Sequence, residues 1–215
     1  VNSDNPILKT TLSSLKTVYF QDIHKIVKLA PSLTYKALFP SNLDRQKVPL
    51  ALGVFNDYNI AALKLAGENN SASFISIILQ WWKIVNVKSK FGGVRTRNPF
   101  SQPVTNEDQA NLIHLMQFAK WLEAWQHLDG QSGKLTTETF NVLTRTMNAV
   151  IQLSEYALST LGIEYILLGK LQTDNIEARF GEYRQLSGAN YLVSVQQILE
   201  SEKKLKIYSL PCCAT

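Results

Sequence analysis

The chain has 215 residues and a mass of 24.2 kDa, enough to bury a sizeable core as one domain or two small ones. Hydrophobic residues make up 45% and charged residues 18%, which excludes wholesale disorder. The formal charge of +5 and a pI near 9.1 permit an anionic partner without demanding one, because sixteen of the 22 basic residues are lysines of the kind common on solvated surfaces. The two cysteines are the adjacent pair Cys212-Cys213. Neighbours cannot staple distant elements and lack the spacing of a zinc site, so an intracellular chain without structural disulfides is expected. No stretch approaches about 18 uninterrupted apolar residues, so no membrane span is expected. The opening VNSDNPILKT is neither signal-like nor a methionine start, as expected of a fragment.

Apolar residues recur at helical spacing over 12–29, and Pro31 stops that run. His24 lies within it, where a lone histidine is more often a surface or satisfied core group than a ligand. Residues 31–40 read as a short helical or turn-like connector, and 48–65 as a helix with Pro49 in its first turn. After a loop at 67–71 comes the most apolar helix, 74–87. Its adjacent Trp81 and Trp82 point in different directions and predict neighbours on more than one side.

The next stretch changes character. Lys83, Lys88, Lys90, Arg95 and Arg97 carry five positive charges with no acid among them. Gly92-Gly93, Asn98-Pro99 and Gln102-Pro103 mark an irregular loop and the best break in the chain, 88–105. Such a loop can cradle phosphate or simply be solvated, and it lacks the spacing of a Walker loop. A long amphipathic helix over 105–128 follows, opening with a capping-box-like Thr105 and Asp108 and carrying Trp121 and Trp125 on one face. Residues 129–133 form the clearest loop. A helix from Thr136 or Thr137 to about 161 ends at Gly162. The run 163–168 suits a strand or a helical turn, 191–206 is a last helix, and 211–215 a tail. The pattern predicts an all-α fold.

The most specific stretch is 169–191, GKLQTDNIEARFGEYRQLSGANY. As a helix starting at Thr173 or Asp174, it puts Asp174, Glu177, Gly181 and Arg184 on one side. Ile176, Phe180 and Tyr183 are expected to anchor an adjoining side, Thr173 to cap the start, and residues 187–190 to stop the helix. A carboxylate pair on an anchored helix suits a divalent metal; the same pattern also describes many solvated helices.

Several stretches resemble the P-element-type transposases, the family that includes transposase-derived proteins bearing THAP domains. They are VKLAPSLTYKALFPSNLDRQKVPLALGVFN (27–56), ASFISIILQWWKIVNVKSKF with RNPFSQPV, LTTETFNVLTRTMNAVIQLSEYAL, and GIEYILLGKLQTDNIEARFGEYRQLSGANY. The resemblance covers roughly 15–200. Its most specific motif is Gln172-x-Asp174-x-x-Glu177 followed by Phe180-Gly181-x-x-Arg184.

The resemblance implies a helical GTP-binding insertion domain at 1–135, followed at 136–210 by the terminal helices of an RNase H-like domain whose sheet is missing. It implies GTP and Mg²⁺ as cofactors, transposon-end DNA as partner in the intact protein, homo-oligomers and a nuclear location. It aligns Glu177 with the last of three catalytic acids, makes Asp174 and Glu177 metal ligands, and places nucleotide contacts at Asn86, Lys88 and Ser89. The sequence departs from the family in lacking the first two acids, the zinc domain, the helix-turn-helix and an NKxD-type guanine motif, so the isolated chain is expected to be inactive in transposition and its status as an enzyme is open. Arg184 as an ion-pair partner of Glu177 is the structural alternative. A non-catalytic helical module binding nucleotide, DNA or protein is the functional one, and an incompletely folded, degraded product the third.

Overall fold

The structure, a computed structural model, describes residues 10–128 and 133–209. The loop expected at 129–133, Gly133 excepted, and the tail with its cysteines lie outside the described residues. The described chain is mostly helical, with one two-stranded antiparallel ladder pairing Val104 with Ile166 and Thr105 with Tyr165. It divides into two compact units, Val1–Lys170 and Leu171–Thr215.

In the first unit, α1 (Leu12–Asp22), α2 (Tyr35–Leu38), α3 (Val48–Val54), α4 (Asp57–Leu65) and α5 (Asn69–Val85) come first. Then follow α6 (Gly92–Thr96), β1 (Val104–Thr105), α7 (Ala110–Gln126), α8 (Thr137–Ser159) and β2 (Tyr165–Ile166). The helix expected over 12–29 stops at Asp22. There the chain turns, and the buried Asp22 carboxylate accepts the Ala30 N–H at 2.9 Å. Burial alone would raise its pKa, but N–H donation from Ala30 and Leu29 and the charge of Lys25 hold it below the ordinary carboxylate value.

The run 48–65 is likewise two helices rather than one. Asn56 is extended (φ −150°) and caps α4, its side-chain oxygen accepting the Asn59 N–H at 3.0 Å. The buried Asn59 amide donates back to the carbonyls of Gly53 (2.9 Å) and Val54 (2.7 Å), satisfying the end of α3. Asn59→Ala removes those donors and opens a void; the Gly53 carbonyl keeps the Asn56 amide at 2.8 Å, and the Val54 carbonyl loses its bond from the Asn59 side chain. We expect a loss of about 1–3 kcal/mol by chemical denaturation.

Helix α5 is the central element, and its ends serve two cores. Its first half, with Ala72 and Ile75, closes a core with Leu15, Val18, Leu38 and Leu63 from α1, α2 and α4. Its second half packs with α7 and α8 around Ile84, Leu112, Leu115, Phe118, Leu122, Met147 and Leu158. Trp81 stacks on Phe118 (centroids 5.4 Å apart, 13° between planes) and donates its indole N–H to the Met147 sulfur at 3.1 Å. Trp121 and Trp125 share one face of α7 as expected, their rings 5.2 Å apart.

Thr105 and Asp108 make the anticipated side-chain bond (2.9 Å), but it closes a turn before α7 rather than its first turn. Thr136 does cap α8, accepting the Thr139 N–H at 3.2 Å, and Gly162 follows in the left-handed region at φ 66°. The irregular stretch after α5 is a folded part of this unit. Gly93 of α6 lies so close to Ser101 that an added Cβ would sit 2.5 Å from its carbonyl oxygen.

In the second unit, α9 (Asp174–Leu186) and α10 (Val195–Ser209) pack on each other. Helix α9 ends as expected. Gly188 (φ 78°) and Ala189 (φ 60°) are left-handed, and the Ala189 N–H closes on the Arg184 carbonyl at 2.8 Å. Helix α10 begins four residues later than expected, at a capping box. The Ser194 hydroxyl accepts the Gln197 N–H (3.3 Å) while the Gln197 side chain accepts the Ser194 N–H (2.9 Å).

Candidate functional site

The second unit carries the carboxylate pair. Asp174 and Glu177 lie one turn apart at the start of α9, both exposed, where carboxylates are favoured by the helix dipole. Thr173 does not cap the helix; its hydroxyl donates instead to the Glu177 carboxylate at 2.9 Å. The expected apolar anchor is also different. Ile176 and Phe180 are 59% and 44% exposed, and only Tyr183 is buried.

What holds α9 to α10 is polar. Arg179 forks onto Glu202 (2.9 and 3.0 Å) and reaches Glu182 (2.9 Å), while the Tyr183 hydroxyl donates to the same Glu202 carboxylate. Hydrogen bonds from Arg179 and then Tyr183 hold the Glu202 pKa below its ordinary value. A depressed carboxylate pKa contributes stability that is complete above the unfolded value, about 4.5, and is lost as pH falls through the folded one. The protection of α9 and α10 amides in the whole chain, taken as the ratio of intrinsic to observed exchange at each pH, is therefore expected to fall below about pH 4.5, and less so in Glu202→Gln, which no longer titrates.

Arg184 does not pair with Glu177. Its guanidinium sits 5.0 Å from the centroid of the Tyr191 ring. Among the described residues, no three histidine, cysteine or acidic side chains come together in a set able to hold a metal. Asp174 and Glu177 thus offer two carboxylates, which fits part of a magnesium site but does not complete one, since that ion seeks six oxygens from carboxylates, waters and substrate phosphates.

The first unit carries a cleft of about 340 Å³ between α4, α5 and the turn after α6, within the size range of small-ligand sites. One wall is a polar stripe on α5, Ser76, Gln80 and Lys83, at i, i+4 and i+7. Lys83 bonds both Asp57 carboxylate oxygens (2.8 and 3.0 Å). An ammonium has three N–H donors, so Lys83 can serve Asp57 and a further acceptor together.

The opposite wall is residues 96–100. Arg97 is left-handed (φ 52°), an uncommon state for a side-chain-bearing residue. It is held there because the Asn98 N–H bonds the Gly93 carbonyl at 2.8 Å and Asn98 caps the next turn. Phe100 closes the wall, its ring 5.2 Å from His114, whose pKa burial pushes below the ordinary histidine value.

Of the sequence-predicted nucleotide contacts, Asn86, Lys88 and Ser89 lie on the turn that follows α5 and are not among the residues lining the cleft. That turn is fastened by Gly169, whose N–H bonds the Val87 carbonyl at 2.9 Å and whose missing Cβ would meet Asn86 backbone at 2.7 Å. From the basic stretch the cleft gathers Lys83 and Arg97. Asp57, Ser76 and Gln80 were missed, although a polar stripe on the most apolar helix of the chain is a signal readable in the sequence.

No protein-family model matches the chain, and neither does any curated protein. Among solved structures, one titled "Drosophila P element transposase strand transfer complex" matches with a TM-score of 0.71 over 94% of this chain. The chain has a P-element-transposase-like fold. It spans 46% of that transposase chain at 18% identity, so the likeness establishes architecture: the cleft and the carboxylate helix both occur on a transposase-like scaffold. No helix among the described residues is long and apolar enough to cross a membrane.

Proposed function

We propose that this chain is part of a P-element-type DNA transposase. In this reading its first unit is a helical GTP-binding domain, and α9 contributes an acid to a Mg²⁺-dependent centre that cleaves and joins DNA. The observation that carries the proposal is the fold match across 94% of the chain, which agrees with the motif around Asp174 and Glu177.

In the first unit, Lys83 and Arg97 supply positive charge at the cleft for nucleotide phosphates, and Ser76, Gln80 and Asn98 supply polar groups beside them. Asn86, Lys88 and Ser89 are proposed as contacts on the adjoining turn, on the resemblance alone. In the second unit, Glu177 is the metal-binding acid and Asp174 its neighbour. A magnesium ion bound there with acids supplied from elsewhere would stabilise charge developing on phosphate oxygens. DNA ends, a second copy and the nucleus are the corresponding partners and place of action.

The test of the Glu177 role is a DNA cleavage assay on the intact transposase with Mg²⁺. Glu177→Gln is expected to lower the rate at least about 100-fold, with a smaller effect of Asp174→Asn. Unchanged cleavage by Glu177→Gln would remove Glu177 from the centre.

The second reading is a non-catalytic module that keeps the fold for nucleotide, DNA or protein contacts. It is favoured by the exposure of Asp174 and Glu177 and by the absence, among the described residues, of a completed acidic set. GTP binding lost on Lys88→Ala, unaffected by Glu177→Ala and independent of Mg²⁺ is what this reading predicts.

A further inference from the structure

From Thr10 to Asn56 the chain has six lysines and arginines against two acids, Asp22 and Asp44. Both acids are buried, at 3% and 8% exposure. The outward charge of the segment itself is therefore positive, and the exposed carboxylate that meets it is Glu68, which accepts from the Ser14 hydroxyl of α1 at 2.9 Å. Lys36 (3.3 Å) and Lys47 (2.8 Å) share the single Asp44 carboxylate, which leaves their ammonium groups in excess. Hydrogen bonds from Lys47 and Ser41 hold that carboxyl ionised, well below the usual range.

Beside these charges stands an aromatic step. Tyr35 and Phe39, at i and i+4 across α2, stack with centroids 4.7 Å apart and 30° between planes. Tyr35 is 60% exposed, so its ring presents surface to solvent. Lys16 of α1 covers Phe39, its ammonium 4.6 Å from the ring centroid. Lys16 thus touches the aromatic pair, Lys36 follows Tyr35 directly in α2, and Lys47 meets Lys36 at Asp44; none of them lines the cleft described above.

We infer that this surface binds single-stranded nucleic acid, with a base stacked on Tyr35 and phosphates met by Lys16, Lys36 and Lys47. A base has a flat π-face that an exposed tyrosine matches whatever the sequence. Successive phosphates suit dispersed lysines better than a compact anion does. An acidic peptide would use the same lysines but gain little from the stacked rings. The proposal gives a DNA partner of the function above a specific place to sit, yet does not depend on GTP or on Glu177.

The test is fluorescence anisotropy of a labelled 15-nucleotide oligo(dT) with the whole chain at about 50 and 200 mM salt. Binding should weaken with salt, and Tyr35→Ala should weaken it about tenfold, the usual scale for one stacked base. Tyr35→Trp should restore it. Lys36→Ala should reduce the salt slope by about 0.7, the value for one phosphate contact on a single strand. Circular dichroism guards against misfolding. The inference is overturned if oligo(dT) does not bind or if Tyr35→Ala binds as wild type. It is equally overturned if a 15-base-pair duplex or vesicles of phosphatidylserine and phosphatidylcholine respond to Tyr35→Ala while oligo(dT) does not. GTP binding that survives Tyr35→Ala separates failure here from failure of the nucleotide site.

Discussion

Replacing Phe118 by alanine is expected to cost the protein about 3–5 kcal/mol of stability. The ring is 2% exposed at the meeting of α5, α7 and α8. It lies between Trp81 (5.4 Å, 13°) and Trp121 (5.6 Å, 27°), so truncation removes two ring contacts and leaves a void that flat, stacked indoles cannot easily fill. A chain of this size shifts its melting temperature by about 2–4 °C per kcal/mol, which converts the loss to roughly 6–20 °C. Differential scanning calorimetry reads it directly. A shift under about 3 °C would mean that this core is not assembled as described. Phe118→Leu, which keeps most of the volume, should recover much of the loss.

The second large effect is on binding. Lys83→Ala is expected to weaken GTP binding by about 10- to 100-fold, the range for one hydrogen bond to a charged group. Stability should hardly change, because its partner Asp57 is 74% exposed and is rehydrated when the pair is broken. Arg97→Ala should act in the same direction. Equal affinities for wild type and Lys83→Ala, with Lys88→Ala defective instead, would move the phosphate contacts from the cleft to the turn after α5.

Local chemistry was legible in the sequence. The start of α8 at Thr136, its stop before Gly162 and the left-handed exit of α9 through Gly188 are each written within four or five residues. The all-α class followed from helical periodicity, and α5 as the central helix from its apolar content. What was not legible depends on partners distant along the chain. Helix α1 ends early because Asp22 reaches Ala30, a bond that leaves the helical apolar pattern intact. The split between α3 and α4 does have a local cause, Asn56 and Asn59, that apolar periodicity overrode. Ile176 and Phe180 look like an anchor by spacing, yet the fastening is Arg179 and Tyr183 onto Glu202, some twenty residues on. The cleft needs α4, α5 and residues 96–100 folded against one another, so only its polar stripe on α5 and its basic residues were visible beforehand.

Nucleotide binding by the first unit is best settled by calorimetric titration of the 215-residue chain with GTP, with and without Mg²⁺. The function proposed above predicts saturable one-to-one binding, stronger with Mg²⁺, that competes with inorganic phosphate and falls with Lys83→Ala. A chain that unfolds cooperatively yet takes up no GTP under either condition would contradict that account.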